Sequence, residues 1–128
     1  MPRVSAAFFA AGVVFVLLGM MLGMHMGATE NMTLAPAHAH LNLVGWVTMA
    51  LYGTFYALVP TASRRIAWIN FFVSTIAVLV MIPSLILFLS SGNDPKYVPG
   101  MQTGEGLALL GMLIFGYSVL RELLRKRA

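Results

Sequence analysis

Four long stretches of apolar residues, separated by short polar segments, dominate this chain. They cover about residues 4–26, 37–60, 66–90 and 105–121, and the first three contain no Asp, Glu, Lys or Arg in their interiors. A helical run of roughly 20 apolar residues matches the thickness of the hydrocarbon core of a bilayer. The pattern therefore predicts an all-α, four-helix integral membrane protein, with residues 1–128 in a single transmembrane domain.

Composition supports a membrane location. Hydrophobic residues make up 59% of the chain and charged residues 9%, whereas soluble domains carry about 25% charged residues. A soluble domain of this size could not bury so much apolar surface. The first segment, preceded by Arg3, also fits a cleaved signal peptide, but its apolar run is longer than the usual signal core. We therefore interpret it as a retained helix.

The basic residues predict the orientation in the membrane. Seven of the eight fall on one side of a four-span topology, namely Arg3, Arg64, Arg65, Arg121, Arg125, Lys126 and Arg127, and Lys96 falls on the other. By the positive-inside rule, both termini and the 61–65 loop are cytoplasmic, and segments 27–36 and 91–104 face outward. The net charge of +4 is therefore explained by the topology and does not indicate nucleic-acid binding. The predicted location is the inner (cytoplasmic) membrane. The absence of Cys excludes disulfides and thiolate metal sites.

A glycine repeat marks one face of the first segment. Gly19, Gly23 and Gly27 recur at intervals of four residues. Small residues at this spacing leave a flat groove that another helix can approach closely. Helix packing is the preferred interpretation, and contact of Gly23 with a flat cofactor stays open. In an oligomer, the same glycines and Gly53 would supply the close approach between protomers.

The three histidines, His25, His38 and His40, all lie near the predicted outer boundary of the membrane. Ionisable residues in membrane segments are costly and usually functional, so the three are candidate metal ligands. Successive residues of an α-helix turn by about 100°, which places His38 and His40 on nearly opposite sides of one helix. They cannot bind one ion together, but each can bind a different ligand. Heme iron, which accepts one axial imidazole from each side, suits this spacing.

The residues around this pair form a longer pattern. It comprises the motif His38-Ala39-His40-Leu41, then Gly45-Trp46-Val47, then Gly53, Tyr56 and Val59-Pro60. This pattern resembles a helix of the heme-copper oxidase superfamily catalytic subunit, in particular the tenth transmembrane helix of the C-type oxidases and nitric oxide reductases. The resemblance covers residues 36–60, and the rest of the chain is similar only in hydropathy.

The resemblance implies a protein that binds heme b. In the family, the first histidine of the pair ligates the high-spin heme and the second ligates the low-spin heme, which correspond here to His38 and His40. This chain has no His-His pair and no histidine in its third or fourth segment, so the family's copper ligands have no counterpart. Reduction of oxygen or nitric oxide is therefore not expected. Electron transfer is expected, or gas binding if one axial position stays open.

The resemblance also implies assembly into a homo-oligomer. The family's twelve-helix subunit resembles three arcs of four helices, and this chain resembles one arc. A homotrimer is therefore favoured, in which His40 of one protomer and His38 of the next hold a heme across each interface. This expectation rests on analogy with the family.

Copper binding or copper delivery is an alternative function. Five of the ten methionines surround His25, namely Met20, Met21, Met24, Met26 and Met32. Thioether and imidazole groups together suit Cu(I), although methionine also fills irregular gaps in cores. A structural or assembly subunit without cofactor is a further alternative.

Four more residues have weaker indications of a role. Asn42 lies one turn after His38 and is placed to orient an imidazole or a heme propionate by hydrogen bonding. Trp46 is a candidate for contact with the macrocycle, although packing is the preferred interpretation. For His25, we expect support of a ligand or control of access, and not axial ligation. Glu105 is expected to open the last helix, where a carboxylate favours the helix dipole.

Overall fold

Four long helices make up the protein. In the computed structural model, which describes residues 1–126, the first span is Arg3–Thr29, the second is Ala35–Leu58, the third is Arg64–Ser90 and the fourth is Pro95–Leu123. Each is long and apolar enough to cross a membrane. The predicted all-α class with four spans is confirmed.

The fourth span begins earlier than predicted. Its α-helix is Val98–Leu123, preceded by a 3₁₀ turn at Pro95–Tyr97, whereas the apolar run predicted a start near residue 105. Proline is well tolerated in the first turn of a helix because its missing N–H has no partner there, and Pro99 occupies such a position. Glu105 therefore does not open the helix but lies about two turns inside it, exposed.

Close packing explains why this extra length is helical. A Cβ atom added to Gly104 would lie 2.6 Å from the Cα of Met81 in the third span. Only a glycine admits such a close approach of two helix backbones. The third and fourth spans thus pack tightly where Gly104 meets Met81.

The second span is not a uniform helix. An α-helix at Ala35–Asn42 passes into a π-helix at Leu43–Thr48 and then into a second α-helix at Met49–Leu58. The Thr48 hydroxyl donates a hydrogen bond of 2.9 Å to the Leu43 carbonyl, five residues earlier. π-Helical turns are rare and are frequently found at functional sites. This one follows the histidine pair directly.

The wider turn has a packing consequence. Gly45 lies against the Phe15 ring, and the neighbouring Trp46 lies against Gly12, so two consecutive residues both contact the first span. In a regular α-helix, consecutive side chains diverge by about 100°. The π turn therefore broadens the interface between the first two spans.

An aromatic cluster joins the first two spans to the last two. The ring of Phe8 stacks on Tyr56 at 5.7 Å and meets Phe71 edge-on at 5.4 Å, and Tyr52 lies 4.7 Å from Phe115. These five residues come from all four spans, and aromatic pairs at such distances stabilise a core. Leucines on the outside of the bundle, such as Leu51, Leu109 and Leu113, are exposed, as a lipid-facing surface requires.

The two ends of the bundle differ in chemistry. The start of the first span, the end of the fourth span and the turn at residues 59–63 lie at one end, which we call the terminal end. The connections at residues 30–34 and 91–94 lie at the other, which we call the histidine end because all three histidines are near it.

Candidate functional site at the histidine end

His38 is held between the first two spans. Its Nδ1 atom lies 2.7 Å from the Gly19 carbonyl oxygen. A carbonyl only accepts, so Nδ1 carries the hydrogen, and in the neutral ring Nε2 keeps its lone pair. The ring rests on Gly23, where an added Cβ would lie 2.7 Å from His38 Cε1. His38 therefore points into the first span, within its own chain.

Asn42 completes this arrangement one turn later. Its amide nitrogen lies 3.4 Å from His38 Nε2 and can donate to that lone pair. Its Oδ1 atom is buried without a hydrogen-bond partner among the described residues. This oxygen lies against Gly19, where an added Cβ would overlap it. Asn42 thus contacts the imidazole as the sequence suggested, and it engages the same nitrogen that a metal would need.

The glycine repeat serves packing inside the chain. Gly19 and Gly23 receive Asn42 and His38, and Gly53 of the second span receives Phe8 of the first. The expectation that these three glycines form contacts between protomers is wrong, because the chain's own side chains already fill the space beside them. Gly27 alone of the repeat would meet nothing within 4 Å.

Trp46 also belongs to this internal interface. A Cβ on Gly12 would lie 2.9 Å from Trp46 Cε3, so the indole packs against the first span. This placement supports the packing interpretation of Trp46. It leaves the indole on the face of the helix that carries His38, away from His40.

His40 faces outward. Its Nδ1 atom lies 2.7 Å from the carbonyl oxygen of Pro36, one turn earlier, and therefore donates its hydrogen to it. The residue is exposed, and within residues 1–126 its Nε2 atom has no partner. The predicted divergence of the two imidazoles is thus present: His38 points into the chain and His40 points out of it.

An apolar strip extends from His40 along the outside of the second span. Leu43, Val47 and Leu51 follow at i+3, i+7 and i+11, and they are 60%, 42% and 62% exposed. Residues at this spacing share one face of a helix. His40 therefore stands at the head of an uncovered apolar face.

His25 stands apart from the other two histidines. It is exposed on the first span, as are Met20, Met21 and Met24, whereas Met26 is buried; Met32 is exposed in the connection that follows. Within residues 1–126, no three His, Cys, Asp or Glu side chains come together as a possible metal site. The three histidines share a depth but do not converge.

A buried polar cluster lies nearer the terminal end, and the sequence interpretation missed it. Asn70 Nδ2 donates to the Tyr56 hydroxyl at 3.1 Å, Ser74 Oγ donates to Asn70 Oδ1 at 2.8 Å, and Ser118 Oγ lies 3.4 Å from the Tyr56 hydroxyl. Buried polar groups in membrane helices associate in this way to satisfy one another. The sequence contains one indication of this cluster, since Asn70 and Ser74 are polar residues one turn apart in an otherwise apolar segment.

No protein-family model, curated protein or solved structure matches this chain. The resemblance of residues 36–60 to heme-copper oxidase subunits therefore remains a hypothesis based on the sequence pattern.

Proposed function

We propose that this chain is a multi-pass membrane protein that binds heme b through His40 and presents it to a small gas molecule. The observation that carries the proposal is the hydrogen bond of 2.7 Å between His40 Nδ1 and the Pro36 carbonyl. Histidines that bind metals almost always donate their other ring N–H to a carbonyl or carboxylate. His40 is already in the tautomer and orientation of a ligand, with Nε2 available.

The scarcity of other ligands favours heme over a bare ion. Within residues 1–126, His40 has no companions with which to build a three-ligand site. Heme iron brings four nitrogens of its own and needs one axial imidazole from the protein. A single outward imidazole is therefore sufficient for heme and insufficient for Zn²⁺, which needs three or four protein ligands.

The apolar strip supplies the second requirement of such a site. A porphyrin ring is flat and largely apolar, and small-molecule sites are lined mainly by apolar side chains with a few placed polar groups. Leu43, Val47 and Leu51 offer an uncovered apolar face next to the imidazole. A macrocycle bound at His40 would cover this face.

His38 fits an axial role less well. Its Nε2 atom faces the Asn42 amide at 3.4 Å, and its ring rests on Gly23. Ligation by His38 would require Asn42 to move away. We therefore propose that His38 positions the second span against the first and that one axial position stays open. When bound, the heme would supply iron that takes up a gas at that open position.

Assembly and orientation are part of the same proposal. A homo-oligomer, with threefold closure from the family resemblance, would enclose the exposed His40 faces between protomers. The seven-to-one asymmetry of basic residues supports a cytoplasmic terminal end and an outward-facing histidine end.

Absorption spectra test the proposal. The protein, purified in mild detergent and mixed with hemin, should give a Soret band and α/β bands, and carbon monoxide should shift the reduced spectrum. A reduced spectrum that carbon monoxide leaves unchanged would assign both axial positions to protein ligands and favour electron transfer. Free-hemin spectra at all ratios would contradict heme binding.

Copper is the second candidate, and one observation favours it. Met21 and His25 lie one turn apart, both exposed, with Met24 beside them. Thioether and imidazole ligands on one helix face suit Cu(I). Elemental analysis of the purified protein separates the two candidates. Copper that is retained in His40→Ala but lost in Met21→Leu would support the site at Met21 and His25.

A further inference from the structure

A cavity of about 270 Å³ opens at the terminal end. It lies between the turn that joins the second and third spans and the last turns of the fourth. The polar residues that line it are Thr61, Ser63, Ser118, Arg121, Glu122 and Arg125. The cavity is far from the histidine end, and nothing inferred from it depends on heme.

Hydrogen bonds hold the walls of the cavity in place. Thr61 Oγ1 donates to Glu122 Oε2 at 2.6 Å and so ties the turn to the fourth span. At the inner side, Ser118 Oγ lies 3.4 Å from the Tyr56 hydroxyl. The cavity is therefore bounded on one side by a fixed turn and on another by the buried polar cluster.

The two arginines of the cavity have no carboxylate partner among residues 1–126, although the Arg121 guanidinium lies 5.9 Å from the centroid of the Tyr117 ring. The sole ion pair among residues 1–126 joins Lys96 to Asp94 at the other end of the bundle, so neither Arg121 nor Arg125 is paired with a carboxylate. Arg121 lies in the last turn of the fourth helix, and Arg125 follows two residues after the helix ends at Leu123. Glu122, the one carboxylate present, already accepts from Thr61. Within the part of the chain that the structure describes, the cavity thus has two arginines without a carboxylate partner and one carboxylate, which leaves a net positive charge.

A hydroxyl donor adds to this set. Ser63 Oγ accepts a hydrogen bond of 3.3 Å from the Ile66 amide at the start of the third span. A hydroxyl that accepts one bond still has its own hydrogen to donate. Arginine forks and hydroxyl donors together are the groups that bind phosphate oxygens.

The position of the cavity indicates where the phosphate comes from. Leu58, Leu120, Leu123 and Leu124, at the same end of the bundle, are all exposed. Exposed leucines at the end of a membrane span contact lipid, and the cavity opens beside them. We propose that the cavity binds a phosphate group through Arg121, Arg125 and Ser63, and that its source is the headgroup of an anionic phospholipid.

The test uses the full chain in nanodiscs of equal parts phosphatidylglycerol and phosphatidylcholine, with retained lipids counted by native mass spectrometry. The wild type should retain phosphatidylglycerol selectively. Arg121→Ala and Arg125→Ala should each reduce retention by about tenfold, since each removes a charge-assisted hydrogen bond. Lys126→Ala removes a charge at the same end without touching the cavity and should retain the lipid. Arg125→Lys, which keeps the charge but loses the planar fork, should fall between the two.

A second arm identifies the source of the phosphate. Lipid-free protein in detergent is heated with and without inorganic phosphate, and Arg125→Ala is the control. Stabilisation by phosphate that Arg125→Ala abolishes, without selective lipid retention, would uphold the phosphate site and assign it to a soluble phosphate ester. Equal lipid loss in Lys126→Ala and Arg125→Ala, with no effect of phosphate, would overturn the proposal, because surface charge alone would then explain the binding.

Discussion

The imidazole of His38 and the backbone carbonyl of Gly19 are joined by a hydrogen bond of 2.7 Å between Nδ1 and the oxygen. This bond links the second span to the glycine face of the first, and Asn42 occupies the other ring nitrogen at 3.4 Å. Two histidines separated by one residue thus have different surroundings. His38 is part of the interface between helices, whereas His40 remains available for a ligand.

His40→Ala is expected to abolish heme retention, because it removes the one outward imidazole whose Nδ1 hydrogen bond prepares Nε2 for a metal. His25→Ala is the matched control, since it removes another exposed histidine at the same end and should retain heme. Pyridine hemochrome assays of both variants, after equal hemin loading, measure the difference. Equal heme content in His40→Ala and the wild type would rule out His40 as the ligand.

His38→Ala is expected to retain heme but lose stability. The variant breaks the hydrogen bond to Gly19 and leaves a gap above Gly23, and hydrogen bonds between membrane helices are worth about 1 kcal/mol. The measurement combines heme content with the midpoint of thermal unfolding in mild detergent. Loss of heme at unchanged stability would instead support the bridging scheme, in which His38 ligates a heme held with His40 of a neighbouring protomer.

Gly19→Ala and Gly27→Ala form a matched pair for the glycine face. A Cβ at residue 19 would overlap Asn42 Oδ1, whereas one at residue 27 would meet nothing within 4 Å. Overpacking of this kind costs about 1–3 kcal/mol, so Gly19→Ala should unfold at a clearly lower temperature and Gly27→Ala should match the wild type. If Gly27→Ala alone disrupted the oligomer, that glycine would be assigned to the contact between protomers.

Tyr56→Phe should destabilise the protein by about 1–3 kcal/mol, because it leaves a buried Asn70 amide without its acceptor. Both residues are fully buried. Tyr117→Phe removes the same hydroxyl from a tyrosine that is 54% exposed and should be neutral. Thermal unfolding of the two variants under identical detergent conditions gives the comparison. A neutral Tyr56→Phe would mean that Ser118 or water replaces the lost acceptor.

Reporter fusions check the orientation. A reporter after the last residue should be active only in the cytoplasm, and one inserted between residues 91 and 94 should be active only outside. The insertion point is confined to these residues because the chain is helical again from Pro95. A C-terminus found outside the cell would reverse the topology and place the histidines on the cytoplasmic side.

The apolar pattern predicted some of the helices well and missed the start of one. The spans at Arg3–Thr29 and Arg64–Ser90 follow from unbroken apolar runs, which have only one stable form in lipid. The start of the fourth span at Pro95 was missed, because the Pro, Gly and Lys residues that precede the apolar run are typical of a loop. Gly100 and Gly104 pack against the third span, and the sequence alone does not identify the neighbour of a glycine.

The π-helix at Leu43–Thr48 was missed for a similar reason. No residue type requires a π turn, and this one coincides with the packing of Gly45 and Trp46 on the first span. The buried cluster around Asn70 depends on Ser118, which is 48 residues away in the chain. Contacts between distant segments of this kind do not appear in local periodicity.

The sequence by itself determined the class, the number of spans and the divergence of His38 from His40, because hydropathy and the helical repeat are local properties of the chain. Only the tertiary structure decided which of the two imidazoles packs against a neighbouring helix. Gly19 and Gly23 lie against His38 and Asn42 because the first two spans pack face to face. Which side chain a helix buries depends on its neighbours, and so the assignment of His40 as the available ligand required the fold.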